Sequence, residues 1–584
     1  MFRFFIIFLL LSYVWIFCGI ALDGQPEQSI ITDNAKRVWV MFTDKGATDS
    51  YHDIKNLPDK TRLRRETLQG TAYDEYDLPV FQPYVNGVLR LGATLCLSSR
   101  WLNGITVIAS DETIKSIKKL SYVKSIEPIT VFKSSYPKLK QPANITNEKI
   151  PFTAPPQTGE SSPEKTYGMS AAQIMQIHVD VLHDNGYHGE GITIALLDTG
   201  FDLSHVALRN INILAQYDFI NNDSDTTDKP PLDDIGQDNH GTEVLAIIAG
   251  NDPGNFVGIA YAADYLLAKT EKVSEKGVTF ERQIEEDWWV AGLEWAELNG
   301  ADVVSSSLGY NEWYTYEDMN GRTAKTTIAA NIAIEKGVAV VVSAGNDGKS
   351  SEKPYISAPS DGFDVVAVGA VNENGELADF SSIGPTYDGR IKPDLVAMGE
   401  GTYTVDPNNV NGYRKANGTS MATPLVAGTM ALLKQALPEI GKPKLLAKLM
   451  KYTASRSLNP DNRYGWGLVN AESAYKFAKF PGSIVDLRNW DPNGECSNVN
   501  KLLFSPNPLK NPLLRICSTK PMRSIEIYSI LGSLVYQRQE LDGEKSVKLD
   551  LSRDFWTKIA SGVYICIIEY TDETFEKKGI AVIK

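Results

Sequence analysis

Between residues 167 and 480 the hydrophobic pattern has four near-continuous apolar runs: GITIALLDTG (191–200), ADVVSSSLG (301–309), GVAVVVSAGND (337–347) and FDVVAVGAV (363–371). Segments with helical periodicity separate them. A strand buried on both faces needs no polar side, so runs of this kind predict parallel strands covered by helices. The expectation is an α/β domain with helices on both sheet faces, and with ligands beyond the carboxyl ends of the strands. Earlier in the chain, VWVMF (38–42), ITVIAS (105–110), a helix opened by Asp111 as N-cap, and VKSIEPIT (123–130) predict a small α+β unit over 37–131. After residue 480 the period shortens to two in SIEIYSILGSLVYQ, KSVKLDLS and GVYICIIEY, which predicts a small β-sandwich over 500–584.

Between the first two units, residues 132–166 lose periodicity and collect Pro, Ser, Lys and Asn. That is the composition of an exposed linker, and such segments are readily cut. The chain opens on Met1-Phe2-Arg3 and an apolar run from Phe4 to Leu22, with Gly19 and Ala21 near its end. This reads as a cleaved export signal, residues 1–21, rather than an anchor. A length of 584 residues accommodates three or four domains at roughly one per 150 residues.

Acidic residues outnumber basic ones by 72 to 58, for a net charge of −14. Attraction to nucleic acid or to anionic membranes is therefore not expected. The five cysteines stand at 18, 96, 496, 517 and 566, so the central region has no thiol nucleophile and its chemistry must use oxygen.

Hydrolysing an amide by nucleophilic catalysis requires a hydroxyl, a base, a carboxylate to orient the base, and donors for the oxyanion. Asp198 ends an apolar run at a Gly-containing turn. His240 lies in QDNHGTEVLAIIAG, at a helix start where Gly241 permits close backbone approach. Ser420 lies in NGTSMATPLVAGTMALL, with Pro424 expected at the first helical position, and Asn346 follows a buried strand. Taken singly, each has a plainer reading as a turn, polar-surface or capping residue. The six histidines lie at 52, 178, 183, 188, 205 and 240. With none after Ser420, a Ser-Asp-His order is impossible, and the 178, 183 and 188 spacing makes no metal face on one helix. Those three are expected at the surface or in turns, and no metal ligands are assigned.

Together, DTG around Asp198, HGT around His240, SAGN around Asn346 and GTSMATP around Ser420 resemble the subtilisin-like serine proteases over residues 167–480. The order Asp, His, Ser is the order of that family. The resemblance implies that Asp198 orients His240, that His240 takes the Ser420 proton, and that Asn346 helps hold the oxyanion. It also implies that Ser306, Ser307, Leu308 and Gly309 line the substrate cleft and pair with an extended peptide. Glu243 stands where the family usually has a second His, which bears on local packing and leaves the catalytic assignment intact.

The resemblance requires no cofactor for the chemistry. Structural calcium is common in the family, and the acidic stretch DFINNDSDTTDKPPLDD (218–234) offers oxygen ligands without EF-hand spacing, so a solvated acidic loop is the preferred reading. Residues 37–131 resemble the family's pro-domain, which would chaperone folding and block the cleft, with processing inside 132–166. The last eighty residues resemble a type IX secretion sorting domain. The expectation is a secreted or cell-surface serine endopeptidase, made as a zymogen, monomeric, acting on protein or peptide substrates and exported with the type IX machinery. The alternative is a non-enzymatic surface adhesin on the same scaffold. Activity is expected to fall as His240 protonates, near the ordinary imidazole value of about 6.5 unless the site shifts it.

Overall fold

The structure is a computed structural model. It describes residues 35–46, 57–133, 167–274, 277–457 and 459–479, together with most of 503–582. The export signal and the linker after Lys133 lie outside the described residues.

Seven parallel strands form the central sheet, in the spatial order Leu395–Met398, Val366–Val371, Ala339–Ser343, Val303–Ser306, Thr193–Asp198, Asp264–Lys269 and Asn212–Asp218. Strand Thr193–Asp198 is entirely buried, and its side chains alternate between two cores. Ile194 and Leu196 join a cluster with Val244 to Ala249 and Met421 to Leu433, whereas Ala195 and Leu197 join one with Trp289, Leu293, Ala329 and Ala330. A strand's period of two thus feeds both faces, which is why the sequence reads as unbroken apolar runs. The domain is the expected α/β sheet covered on both sides. At one edge, Asn212–Asp218 is half exposed and polar; it carries no such run and was invisible to the pattern.

The N-terminal unit is a four-stranded antiparallel sheet, ordered Thr94–Ser99, Gly104–Ser110, Ala35–Phe42, Val123–Pro128, with helices including Asp59–Gln69 and Asp111–Ile117. Ser110, not Asp111, is the N-cap of the latter helix and accepts from Thr113 N at 3.2 Å. Asp111 instead occupies the first turn, where its charge suits the positive end of the helix dipole.

This unit docks on helix Ile284–Leu298 of the central domain. Trp39 Nε1 donates to Asp287 Oδ1 at 2.5 Å and Ser99 Oγ to Glu294 Oε1 at 2.5 Å. Arg65, wholly buried, reaches Asp77 at 2.9 Å within its own unit and Glu297 at 2.6 Å across the junction. The unit then ends in strand Val131–Lys133, which pairs antiparallel with Phe280–Arg282 just ahead of that helix.

The C-terminal unit has two antiparallel sheets, of three and four strands. They share a core that includes Leu514, Ile516, Ile525, Ile527, Val547, Leu549, Ile568 and Ile580. The expected small all-β unit is present.

Candidate active site

The side chains singled out by sequence stand on one strand end, two helix starts and the loop after strand Ala339–Ser343. Asp198 is the last residue of its strand, and its side chain is 1% exposed. Helix Asn239–Ala249 brings His240 against it, and Nδ1 of His240 lies 2.7 Å from Asp198 Oδ1. The same oxygen accepts from Thr199 N at 2.8 Å, fixing the carboxylate in one orientation. A Cβ at Gly241 would collide with the Gly200 carbonyl and lie 3.2 Å from Asp198 Cβ. Only glycine lets this helix approach the strand end so closely.

A carboxylate on Nδ1 makes that nitrogen the protonated one and leaves Nε2 free to act as a base. The His240 side chain is 32% exposed. Burial by itself lowers its pKa, but the bonded Asp198 charge, helped by Glu243 and Glu271, raises it to about 9. The site thus shifts the imidazole from its ordinary value, because neighbouring carboxylates outweigh desolvation.

Ser420 is the second residue of helix Thr419–Ala436, which begins at Thr419 with Gly418 as N-cap. Pro424 therefore lies inside the helix and not at its first position, which corrects the sequence reading. Without an N–H, Pro424 cannot bond the carbonyl of Ser420 four residues back. Ser307 Oγ donates to that carbonyl instead, at 2.8 Å, tying the helix start to the expected cleft segment. Gly418 has φ of 147°, and a Cβ there would lie 2.5 Å from Ser420 Oγ.

Since Gly418 has no side chain to cap the helix, Asn346 does so from another loop. Its Oδ1 accepts from Thr419 N at 2.8 Å and Thr419 Oγ1 at 3.0 Å. With its oxygen held this way, the Nδ2 hydrogens are available to an outside acceptor. The Ser420 N–H, in the first helical turn, has no acceptor within the helix. One donor thus lies on Ser420 itself and the other on the residue that caps its helix. Among the described residues His240 bonds Asp198 but not Ser420, and such catalytic bonds are often long until substrate binds.

Of the cleft residues, Ser306 turns its side chain inward, accepting from Trp289 Nε1 at 2.8 Å. Ser307 holds the Ser420 turn, as above. The Leu308 carbonyl lies 3.4 Å from Ser343 Oγ, and Gly309 faces Ser357.

Glu243 is buried and ion-pairs with Arg414, while its carbonyl accepts from Thr404 Oγ1 at 2.7 Å. It thereby fastens the His240 helix to the hairpin Thr402–Val405/Tyr413–Ala416. His183, expected at the surface or in a turn, is buried between Tyr167 and the Ile259 carbonyl. Burial pushes its pKa down to about 4, so it sits neutral in the core.

The acidic stretch 218–234 satisfies much of its own charge. Lys269, fully buried, lies 2.5 Å from Asp233 and 3.1 Å from Asp218, and Lys229 pairs with Asp218 and Asp223. Sequence reasoning missed a separate group: Glu271, Glu281 and Glu285 are buried with carboxylate oxygens within 4.8 Å of one another, a donor set of the kind a cation accepts. Backbone N–H groups of Lys272 and Arg282 already donate to Glu285.

Comparison with known proteins follows the same division of the chain. Residues 189–467 match the model of the subtilase family, 37–146 match a peptidase S8 propeptide domain of Bacteroidota, and 504–583 match a secretion system C-terminal sorting domain. The chain is similar to subtilisin DY of Bacillus licheniformis, 31% identical over 51% of this chain and 96% of the relative. It is similar to subtilisin BL of Lederbergia lenta at 34% over 52% and 97%. It also resembles subtilisin E of Bacillus subtilis strain 168, at 30% over 52% and 70%.

Proposed function

The chain belongs to the subtilase family of serine proteases, and we propose that it cleaves peptide bonds through an acyl-enzyme on Ser420. It carries a propeptide domain and a type IX sorting domain, and is destined for secretion or the cell surface. In the proposed mechanism His240 Nε2 takes the Ser420 proton as Oγ adds to the scissile carbonyl. The negative charge formed on the carbonyl oxygen is held by Asn346 Nδ2 and the Ser420 N–H. The proton passes to the leaving amine, the C–N bond breaks, and water then hydrolyses the ester by the same steps. Asp198 keeps the imidazole in the required tautomer and stabilises its cation.

The observation that carries this reading is a double anchoring: Asp198 bonds His240, and Asn346 bonds the first turn of the Ser420 helix. An adhesin would need neither. Before processing, the N-terminal unit would restrain the enzyme, since its last strand already lies on Phe280–Arg282. We propose cleavage within 132–166 and action as a monomer.

The test compares the wild-type precursor with Ser420→Ala, following intact mass and casein cleavage. The proposal expects maturation and casein cleavage by wild type and neither by the variant. Equal casein cleavage by the two proteins would rule out Ser420 as nucleophile.

A further inference from the structure

The helix that carries His240 is tied to the segment that leads into Ser420 by an ion pair outside the reacting groups. His240 and Glu243 lie three positions apart on helix Asn239–Ala249. Residues so spaced share a helix face, with Cβ atoms about 5–6 Å apart. Glu243 is 1% exposed, and its carboxylate pairs with Arg414 on the second strand of the hairpin Thr402–Val405/Tyr413–Ala416. That strand runs through Asn417 and Gly418 into helix Thr419–Ala436, which carries Ser420. The passage is fixed by Asn417 Oδ1, which accepts from Gly401 N at 2.7 Å, and by Gly418 N, which donates to Gly399 O at 2.8 Å. Arg414 Nε is buried without a hydrogen-bond partner, which leaves the pair with Glu243 as the counter-charge of the guanidinium. A histidine, the usual residue of the family at this position, would supply no negative charge.

We propose that Glu243 is a positioning residue for the reaction: held by Arg414, its charge acts on His240 and moves the working range of the enzyme toward alkaline pH. The inference rests on the serine-protease reading above. A carboxylate one helical turn from an imidazole favours the imidazolium, and burial of the carboxylate strengthens the effect. Burial of His240 opposes its cation, and the carboxylates of Asp198, Glu243 and Glu271 favour it. Asp198 reaches the ring from the strand end, Glu271 from just beyond strand Asp264–Lys269, and Arg414 approaches Glu243 from the hairpin. Asp238, the N-cap of the helix, is turned to Asp228, whose N–H its carboxylate accepts at 3.0 Å. Asp198 is the carboxylate bonded to the ring and fixes its tautomer, whereas Glu243 acts through its charge. A base held as its cation at neutral pH cannot take a proton. Removing the charge of Glu243 should therefore make the enzyme faster near neutral pH and let its rate level off at a lower pH.

The test uses mature enzyme prepared from the full chain and compares wild type with Glu243→Gln, Glu243→Asp and the double variant Glu243→Gln/Arg414→Gln. The readout is kcat/KM for one uncharged peptide from about pH 6 to about pH 10, with active sites counted by a serine-directed phosphonylating reagent. Glu243→Gln should move the inflection down by about one pH unit and raise kcat/KM near neutral pH by up to about tenfold. Glu243→Asp keeps the charge and should keep the inflection close to that of wild type. The double variant leaves no buried charge unpaired, so it tests the charge even if the single Gln variant folds poorly, and it should show the same downward move. An inflection unchanged in the double variant, or a rate that falls equally at every pH in labelled Glu243→Gln enzyme, overturns the role of Glu243 alone. Failure of the reagent to label wild-type Ser420 overturns the serine-protease reading and this inference with it.

Discussion

Replacing Glu297 by Gln should loosen the grip of the N-terminal unit on the catalytic domain while sparing the chemistry. Glu297 is fully buried at the end of helix Ile284–Leu298 and ion-pairs with three arginines of the N-terminal unit. Arg64 approaches at 2.5 Å, and Arg65 bonds through both Nε and Nη2, at 2.9 and 2.6 Å, with Arg100 at 3.6 Å. The ion pairs on Glu297 span the junction between the two units, so the cost of the substitution falls on docking. Removing one partner of a buried pair costs about 3–5 kcal/mol, because the other charge stays buried and uncompensated. Gln can still accept one hydrogen bond, and Arg65 keeps Asp77, so the lower end, about 3 kcal/mol, is expected. At about 1.4 kcal/mol per tenfold, inhibition should weaken by about a hundredfold. The assay titrates residues 35–133 against mature enzyme and against its Glu297→Gln variant, reading residual hydrolysis of a small peptide. Raising the salt concentration should move the wild-type value little, since buried pairs are poorly screened. Inhibition of the variant within threefold of wild type would refute the view that this network holds the two units together.

Three further outcomes bear on the catalytic site. For a base whose pKa is raised to about 9, kcat/KM should climb with pH through an inflection well above 6.5, and Asp198→Asn should lower both the inflection and the rate. The same shift has a stability signature. The His240–Asp198 ion pair contributes fully below the unfolded imidazole value of about 6.5 and is lost as pH rises through about 9. Thermal scans of Ser420→Ala protein should therefore show a decline over that window that Asp198→Asn abolishes. Asn346→Ala should reduce kcat by about 10²–10³ with little change in KM, because the donor acts on the oxyanion and not on the ground state. It should also lower Tm slightly, as Thr419 N loses its cap; steady-state kinetics and a thermal scan read the two effects separately.

Much of the site was legible because its parts lie in short stretches with strong local constraints. A strand buried on both faces must be apolar throughout, so the end of such a run marks the rim where Asp198 and Asn346 stand. Gly241 and Gly418 sit where there is no room for a Cβ, and each lies within two residues of a catalytic candidate in sequence. Pro424 misled for an instructive reason: its preference for the first helical position is real, but Ser307, remote in sequence, satisfies the carbonyl that the proline leaves unbonded. For His240, sequence set only the ordinary imidazole value, and the direction of its shift comes from the carboxylates that folding places around it.

Local sequence therefore determined the parallel-sheet domain, the order of its chemical groups and the two flanking units, since period, turn residues and motif spacing are properties of neighbours along the chain. Only the tertiary structure decided what those groups touch. Arg65 meets Glu297 across 232 positions, Glu243 meets Arg414 across 171, and Asn346 caps a helix 73 residues away. Buried charges acquire their energies from partners brought together by folding, and no pattern of adjacent residues encodes which partners those will be.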